Sequence, residues 1–471
     1  MIYTLMPIIF LIGILAIAFE EKLHINKAAS ALLMALLLWG LFVFDSVNIL
    51  GNHTNVYFEE FLTHNPKIAL LPLIDQFHSF IVEDAILKSL GDVSQTLFFV
   101  MCVMIIIEMI DSHGGFRAVS SYIKTRNKRK LLWIISLMTF FLAALINNMA
   151  CAIVVIALLR KLIPDHREDR LTFASMVIIA ANAGGSFSPI GDVTTILLWT
   201  GGNISALHQI THLFLPGFVS MIVPLSLLTF QFKPNAAWES PSAILEENRQ
   251  IPQLNTGRRL TILIIGMLSL ALVPLFRQLT GLPPFMGVMF GLVLLWIVTD
   301  LFYRNIDTIE EKEKLNVSRL TSMIDLPTIL FFLGILMSVA ALRFAGQLGD
   351  ISMWIDSKVS SPYIVSFILG VMSSFVDNVA LVAGTMGMYP VIEQSGTNAP
   401  HLSHFVTDGD FWTFIAYCAV TGGSLLIIGS ATGVAVMGME KITFGYYFKR
   451  FSWLATLGYI AGALTYVYIS R

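Results

Sequence analysis

Two aspartates lie within long apolar stretches of this chain, where a carboxylate calls for a functional explanation. No other charged residue stands within ten positions of Asp192 or of Asp377. A carboxylate at mid-membrane costs about 2.5 to 3.5 kcal/mol on insertion scales, which makes it a candidate functional group. Carboxylate and amide oxygens are the ligands that hard cations prefer, and a buried carboxyl group holds its proton more tightly than one in water. We therefore predict that a metal cation and a proton compete for these residues.

The polar motifs around both aspartates occur twice, in the same order. The first match is separated by 230 positions and the next two by 238 positions. In order, the matches are INNMA at 146–150 with VDNVA at 376–380, AGGS at 183–186 with TGGS at 421–424, and GDVT at 191–194 with GSAT at 429–432. Because the offsets agree closely, we predict one internal repeat.

The motif residues also predict where helices are interrupted. A glycine pair followed by Pro189 and Gly191 cannot continue as a regular helix. Such a break leaves free amides and carbonyls at helix ends, where polar side chains complete the hydrogen bonding and supply oxygen ligands. Packing between helices is the alternative explanation for a single hydroxyl or amide in such a segment. The candidate residues from the motifs are Asp192, Asp377, Asn147, Asn148, Asn378, Thr194, Thr195, Ser186, Ser188, Ser424 and Ser430, with Na⁺ or Li⁺ expected at Asp192, Asp377, Asn148 and Asn378.

Composition places the chain in a membrane. Hydrophobic residues make up 56% of 471, charged residues 13%, and the mean hydropathy is +0.76, whereas soluble domains are about one quarter charged. The net charge of −2 gives no sign of a nucleic-acid partner. The sequence has no GxxxxGK[ST] phosphate loop, so we expect neither ATP drive, nor a cofactor, nor an enzymatic reaction. Membrane lipid is the expected surrounding.

Loop charge predicts the topology, because Lys and Arg collect on the cytoplasmic side. Basic clusters at 117–130 and 160–170 flank the apolar segment 131–159. That segment is too short for two crossings of roughly 20 residues each, and a single crossing would leave one basic cluster outside. We therefore predict a re-entrant hairpin that enters from the cytoplasm. The apolar segment 363–392 predicts a second hairpin, which enters from the outside.

The resulting fold prediction is an all-α polytopic membrane protein with an inverted-topology repeat. It has about ten transmembrane helices, two re-entrant hairpins, two broken helices and both termini outside. Sites in such folds lie near mid-membrane, where broken helices meet. We expect a single crossing at 260–276, and an outside loop with an interfacial helix near 77–90. The bounds are 1–231 for the first repeat (hairpin 131–159, broken helix 171–199), 232–259 for a cytoplasmic linker, and 260–471 for the second repeat (hairpin 363–392, broken helix 413–437).

Three stretches strongly resemble the NhaD-type sodium/proton antiporters of the ion transporter superfamily. They are ANAGGSFSPIGDVTTILLWTGG from Ala181, SSFVDNVALVAGTMGMYP from Ser373 and TGGSLLIIGSATGVAVMGMEKI from Thr421. The resemblance covers most of the chain beyond about residue 96. It implies exchange of Na⁺ or Li⁺ for H⁺ in the bacterial inner membrane, a role in pH homeostasis, and a homodimer. The family's ion-site positions fall here on Asn148, Asn182, Asp192, Thr194, Thr195, Ser373, Asp377, Asn378 and Ser424.

One position departs from the family pattern. The first hairpin usually reads Asp-Asn, and here it reads Asn147-Asn148, so one expected charge is missing. This puts the proton stoichiometry in question. The superfamily also contains dicarboxylate and arsenite carriers, and an anion carrier is the alternative function. A membrane scaffold that transports nothing is a further alternative, but it has no need of paired mid-membrane acids.

Overall fold

The structure is a computed structural model in which the regular elements are helices. Within the described part, an isolated bridge between Ile392 and Val406 is the exception. Most of the predicted linker 232–259, and most of the basic residues in the 117–130 cluster, lie outside the described residues. The description covers 2–18, 20–51, 55–115, 125, 127–163, 166–233, 256–304, 326–359, 361–392, 402–427 and 429–470.

The helices follow one another with short connections. In the N-terminal part they are α1 (Ile2–Ala18), α2 (Glu20–Leu23), α3 (Lys27–Phe44), α4 (Ser46–Gly51), α5 (Val56–His64), α6 (Leu73–Ser79) and α7 (Ile86–Ser112). In the middle part they are α8 (Lys128–Ile146), α9 (Asn148–Leu162), α10 (Arg167–Ser186), α11 (Val193–Thr200), α12 (Ala206–Thr229), α13 (Thr256–Ala271), α14 (Val273–Thr280) and α15 (Pro284–Arg304). In the C-terminal part they are α16 (Leu326–Phe344), α17 (Gln347–Lys358), α18 (Pro362–Met372), α19 (Asn378–Met388), α20 (Asp410–Gly422), α21 (Ala431–Glu440), α22 (Phe444–Arg450) and α23 (Ser452–Ile469).

The helices have the length and composition of membrane spans. Among the described residues, seven helices are long and apolar enough to cross a bilayer, and a bent pair brings the number to eight. Further apolar helices are shorter and include Tyr3–Ile17, Asn148–Arg160, Pro362–Met372 and Asn378–Met388. The protein is thus a polytopic helical membrane protein. The count of about ten transmembrane helices stays a prediction.

Two predicted segments differ in detail. The predicted single crossing at 260–276 is a pair of helices, α13 and α14, bent by 47°. Pro274 stands in the first turn of α14, where its ring lacks an N–H and crowds the preceding turn. The predicted interfacial helix near 77–90 is instead part of one apolar helix that runs from Leu73 to Ser112.

The chain reverses direction at Asn147, between α8 and α9. Asn147 has a positive φ of 74°, a conformation that asparagine adopts more readily than most residues. The Sγ atom of Cys151 lies 3.5 Å from the carbonyl oxygen of Thr139, whereas twelve residues of continuous helix would span about 18 Å. The two helices therefore fold back on each other, three residues longer at each end than the predicted 131–159. The membrane face from which this hairpin enters stays a prediction.

The chain divides into two compact units. The first comprises Met1–Phe98, Asp325–Val365 and Val379–Val406. Inside it, α16 packs closely on α3, because Gly334 leaves room only for the backbone of Ala31 and Leu32. The indole nitrogen of Trp39 donates to the Met337 carbonyl at 2.9 Å.

The second unit comprises Phe99–Ile324, Ser366–Asn378 and Thr407–Arg471. Its α12 and α23 cross closely, since Gly458 faces the Ser220 carbonyl and Gly462 faces the Pro216 carbonyl. This unit contains all the predicted site residues. The units take segments from both predicted repeats, and the repeat bounds stay a prediction, because repeats are similar segments and need not be separate bodies.

Candidate functional site

Asp192 stands at the break between α10 and α11 and caps the second of these helices. Its backbone is extended, with φ −146° and ψ 151°, and its Oδ1 accepts the Thr194 N–H at 2.7 Å. The Thr195 hydroxyl completes a capping box by accepting the Asp192 N–H at 3.2 Å. A carboxylate at a helix N-terminus satisfies free amides and is favoured by the helix dipole. Asp192 is 4% exposed, so the carboxylate lies inside the protein.

Two asparagines donate to this carboxylate from the two predicted hairpins. Asn148, the first residue of α9, donates its amide N–H to Asp192 Oδ2. Asn378, the first residue of α19, lies 3.4 and 3.5 Å from the two carboxylate oxygens. The tip of the first hairpin is also fixed by its backbone, because the Asn148 N–H donates to the Gly191 carbonyl at 2.8 Å. Both breaks of the first half thus meet at one carboxylate.

Asn182 extends the polar cluster to the second half of the chain. Its Oδ1 accepts from the Asn148 amide at 3.0 Å. Its own amide nitrogen donates to Ser424 Oγ at 2.8 Å and to Ser430 Oγ at 3.0 Å. All four residues are buried, and a buried network is stable only when its members are satisfied. A continuous chain of hydrogen bonds therefore runs from Asp192 to Ser430.

The break in the second half has the same construction as the first. Ser430, 238 positions after Asp192, is the N-cap of α21, with an extended backbone and its hydroxyl accepting the Gly433 N–H at 3.1 Å. Gln209 donates to the Ser186 carbonyl at 3.1 Å, and Tyr447, again 238 positions later, donates to the Ser424 carbonyl at 2.8 Å. Sequence reasoning missed Gln209 and Tyr447, because neither lies in a motif.

Close backbone contacts are repeated in the same way. A Cβ atom at Gly184 would overlap the Phe140 carbonyl, and one at Gly422 would overlap the Gly370 carbonyl. Phe140 and Gly370 are each seven positions before a hairpin tip, at 147 and 377. These matched contacts support the predicted repeat, while its inverted orientation in the membrane stays a prediction.

The other predicted site residues are placed differently. Ser186 donates to the Ala183 carbonyl at 2.8 Å and Ser373 donates to the Ala419 carbonyl at 2.7 Å, so both hydroxyls satisfy nearby backbone. Asn147 accepts the Met149 N–H at 3.0 Å and caps α9.

Asp377 immediately precedes Asn378, and its half-buried carboxylate lies within electrostatic range of Asp192. The Thr194 and Thr432 hydroxyls, which are also 238 positions apart, are buried without a hydrogen-bond partner in the described part of the protein. They are further oxygen atoms at the two helix starts.

The comparisons with known proteins agree on one class of transporter. The citrate transporter family matches residues 14–407 of the chain. Sodium/proton antiporter 1 of Arabidopsis thaliana is 40% identical over 98% of this chain and 72% of its own length, and antiporter 2 of that plant is 40% identical over 98% of each. The Na⁺/H⁺ antiporter NhaD of Alkalimonas amylolytica is 27% identical over 98% of this chain and 89% of its own length.

Proposed function

Because this chain belongs to the citrate transporter family and, within it, to the NhaD-type sodium/proton antiporters, we propose that it exchanges Na⁺ for H⁺ across the membrane. The observation that carries the proposal is the buried carboxylate of Asp192, which is surrounded by amide and hydroxyl groups from four helix ends. Oxygen ligands around one carboxylate suit an alkali cation. Li⁺ is the expected alternative cargo.

The exchange follows from competition at Asp192. In this structure the carboxylate accepts from the Asn148 amide, the Asn378 amide and the Thr194 backbone. A cation at the carboxylate would replace amide N–H donors, and each asparagine can offer its carbonyl oxygen instead by rotating its carboxamide. A proton would neutralise the same carboxylate. Since a buried carboxylate needs a compensating charge, one or the other must be present during passage, which gives exchange rather than leakage.

Asn147 does not disturb this scheme. Its side chain caps α9 and its backbone makes the reversal at φ 74°, and both roles suit asparagine and aspartate alike. The missing carboxylate therefore changes the charge of the site, with the turn unaffected. We propose that Asp192 and Asp377 together supply the negative charge, and that fewer protons move per cycle than in relatives with Asp at this position.

An anion carrier is the competing function within the same superfamily. A dicarboxylate or arsenite would meet the Asp192 and Asp377 carboxylates, and repulsion between like charges in a buried site is strong. The cation assignment is therefore the better fit to these residues. The bacterial inner membrane, the homodimer, the role in pH homeostasis and the external termini remain part of the proposal, and two of the relatives are plant proteins.

Ion flux in proteoliposomes tests the function. Purified protein would be reconstituted with a pH-sensitive dye inside, and Na⁺, Li⁺, K⁺, a dicarboxylate and arsenite would be added in turn across a range of pH. We expect Na⁺ or Li⁺ to dissipate an imposed proton gradient without ATP, and Asp192→Asn to abolish this response. Asp300→Asn is the control, since Asp300 is an exposed acid of α15. Transport of a dicarboxylate or arsenite without any Na⁺ response would show the antiporter assignment to be wrong.

A further inference from the structure

Three helices that carry site residues end together at one buried acid, Glu440. The Glu440 side chain is 1% exposed and accepts from Arg160 Nε at 2.6 Å and from Arg170 Nε at 2.7 Å. Each carboxylate oxygen thus holds a different arginine. Arg160 also donates to the Met439 carbonyl, and Arg170 donates to the Ile163 carbonyl at 2.9 Å. We call these three side chains the Glu440 triad.

Each arm of the triad lies on a helix whose other end is in the candidate site. Arg160 is on α9, which begins at Asn148, and Arg170 is on α10, which carries Asn182. Glu440 ends α21, which Ser430 caps. At 1.5 Å per residue the triad is about 18 Å from the site along α9 and α10 and about 15 Å along α21.

The triad therefore fixes the far ends of three rigid rods whose near ends form the Asp192–Ser430 hydrogen-bond chain. Asn148, Asn182 and Ser430 are in hydrogen-bond contact at about 3.0 Å, a geometry that weakens over a few tenths of an ångström. Breaking a buried ion pair by removing one partner leaves the other charge uncompensated, so the remaining helix ends are driven apart. Exposed ion pairs, by contrast, have little effect.

We infer that Glu440 is a positioning residue for cation exchange: by holding α9, α10 and α21 together, it sets the spacing of Asn148, Asn182 and Ser430 and thereby the affinity for Na⁺. This inference rests on the proposed function, because its site is the one at Asp192. Glu440 touches no transported ion. Its effect reaches the site through the three helices.

The test compares Glu440→Gln with the wild type in proteoliposomes by titrating Na⁺ at fixed pH. We expect the Na⁺ concentration for half-maximal exchange to rise about tenfold, within the roughly 5- to 150-fold range of coupling between distant sites, while the maximal rate changes less. Glu168→Gln is the matched control. Its partner is Arg450 at 3.6 Å, and the two side chains are 76% and 61% exposed. It removes an ion pair from the same end of α10 without touching the triad, so half-saturation should not change.

A second variant guards against loss of folding. Arg160→Gln leaves Glu440 paired with Arg170 and releases α9 alone, and Arg160 is 47% exposed, so this protein should insert normally. We expect half-saturation by Na⁺ to rise here too, by less than in Glu440→Gln. Lower thermal stability with unchanged Na⁺ half-saturation in both variants would overturn the inference and leave the proposed function standing. Absence of Na⁺ exchange in the wild type would instead overturn the proposed function.

Discussion

Replacing Gly184 with alanine tests how closely α10 must approach α8. A Cβ atom there would overlap the carbonyl group of Phe140, which is backbone and cannot rotate away. Overpacking a filled interior costs about 1 to 3 kcal/mol, and removing a glycine from a helix returns roughly 0.5 to 1 kcal/mol. We expect Gly184→Ala to lower the free energy of unfolding by about 1 to 2 kcal/mol.

The same substitution should also weaken Na⁺ binding. Relief of the overlap requires α10 to move away from α8, and Asn182 lies two residues before Gly184 on α10. Its contact with Asn148 is 3.0 Å, close to the limit beyond which an N–H···O bond weakens. We therefore expect half-maximal exchange at a several-fold higher Na⁺ concentration, with Gly422→Ala having a comparable effect through Gly370.

Thermal unfolding in detergent and Na⁺ titration in proteoliposomes would measure both effects. Gly438→Ala is the matched control, because Gly438 is a helical glycine with no atom within 4 Å of a built Cβ. It should be neutral or slightly stabilising and should leave exchange unchanged. If Gly184→Ala behaved like Gly438→Ala in both measurements, the close approach of α10 to α8 would not be a requirement of the fold.

Four further predictions concern the site and its hairpin. Asp377→Asn should abolish Na⁺-driven proton flux while the protein still inserts, because it removes charge beside Asp192 and keeps shape; wild-type flux would show the acid to be structural. Asn147→Asp should retain exchange and move its optimum toward higher pH, since an added carboxyl group near another acid titrates with it; an unchanged profile against pH would place residue 147 outside the electrostatic reach of the site. Asn182→Leu should lower Na⁺ affinity more than the rate measured at saturating Na⁺, because it cuts the link from Asn148 to Ser424 and Ser430. Cysteines at positions 128 and 162 should react with an impermeant maleimide from the same, cytoplasmic side, and labelling from opposite sides would exclude the hairpin.

The sequence was informative wherever the determinant is local. Glycine pairs and Pro189 interrupt a helix whatever surrounds them, and the breaks after Ser186 and Gly422 are where the motifs placed them. The cap at Asp192 is equally local, since an acid just before an apolar helix is a common start signal. Pro274 gave the same kind of signal for the bend between α13 and α14, but the uncharged run at 260–276 was taken as one crossing.

Contacts between distant segments were harder to predict. Asn182 is 242 and 248 residues from its serine partners, and no periodicity in the sequence specifies which serine an asparagine will meet. Glu440 was missed for a related reason, because an acid at a helix end is usually solvated. The available signal was that it shares a predicted cytoplasmic side with Arg160 and Arg170.

Asn182 gives the hydrogen-bond chain a direction. Both of its amide hydrogens point to serines and its oxygen faces Asn148, so rotating the Asn148 carboxamide would set two oxygens against each other unless Asn182 rotates as well. A rotated Asn182 would present its oxygen to Ser424 and Ser430, whose hydroxyls can turn and become donors. The chain thus has two self-consistent polarities, like a row of magnets. A cation that selects one polarity at Asp192 would be registered at the start of α21 without any helix having to move.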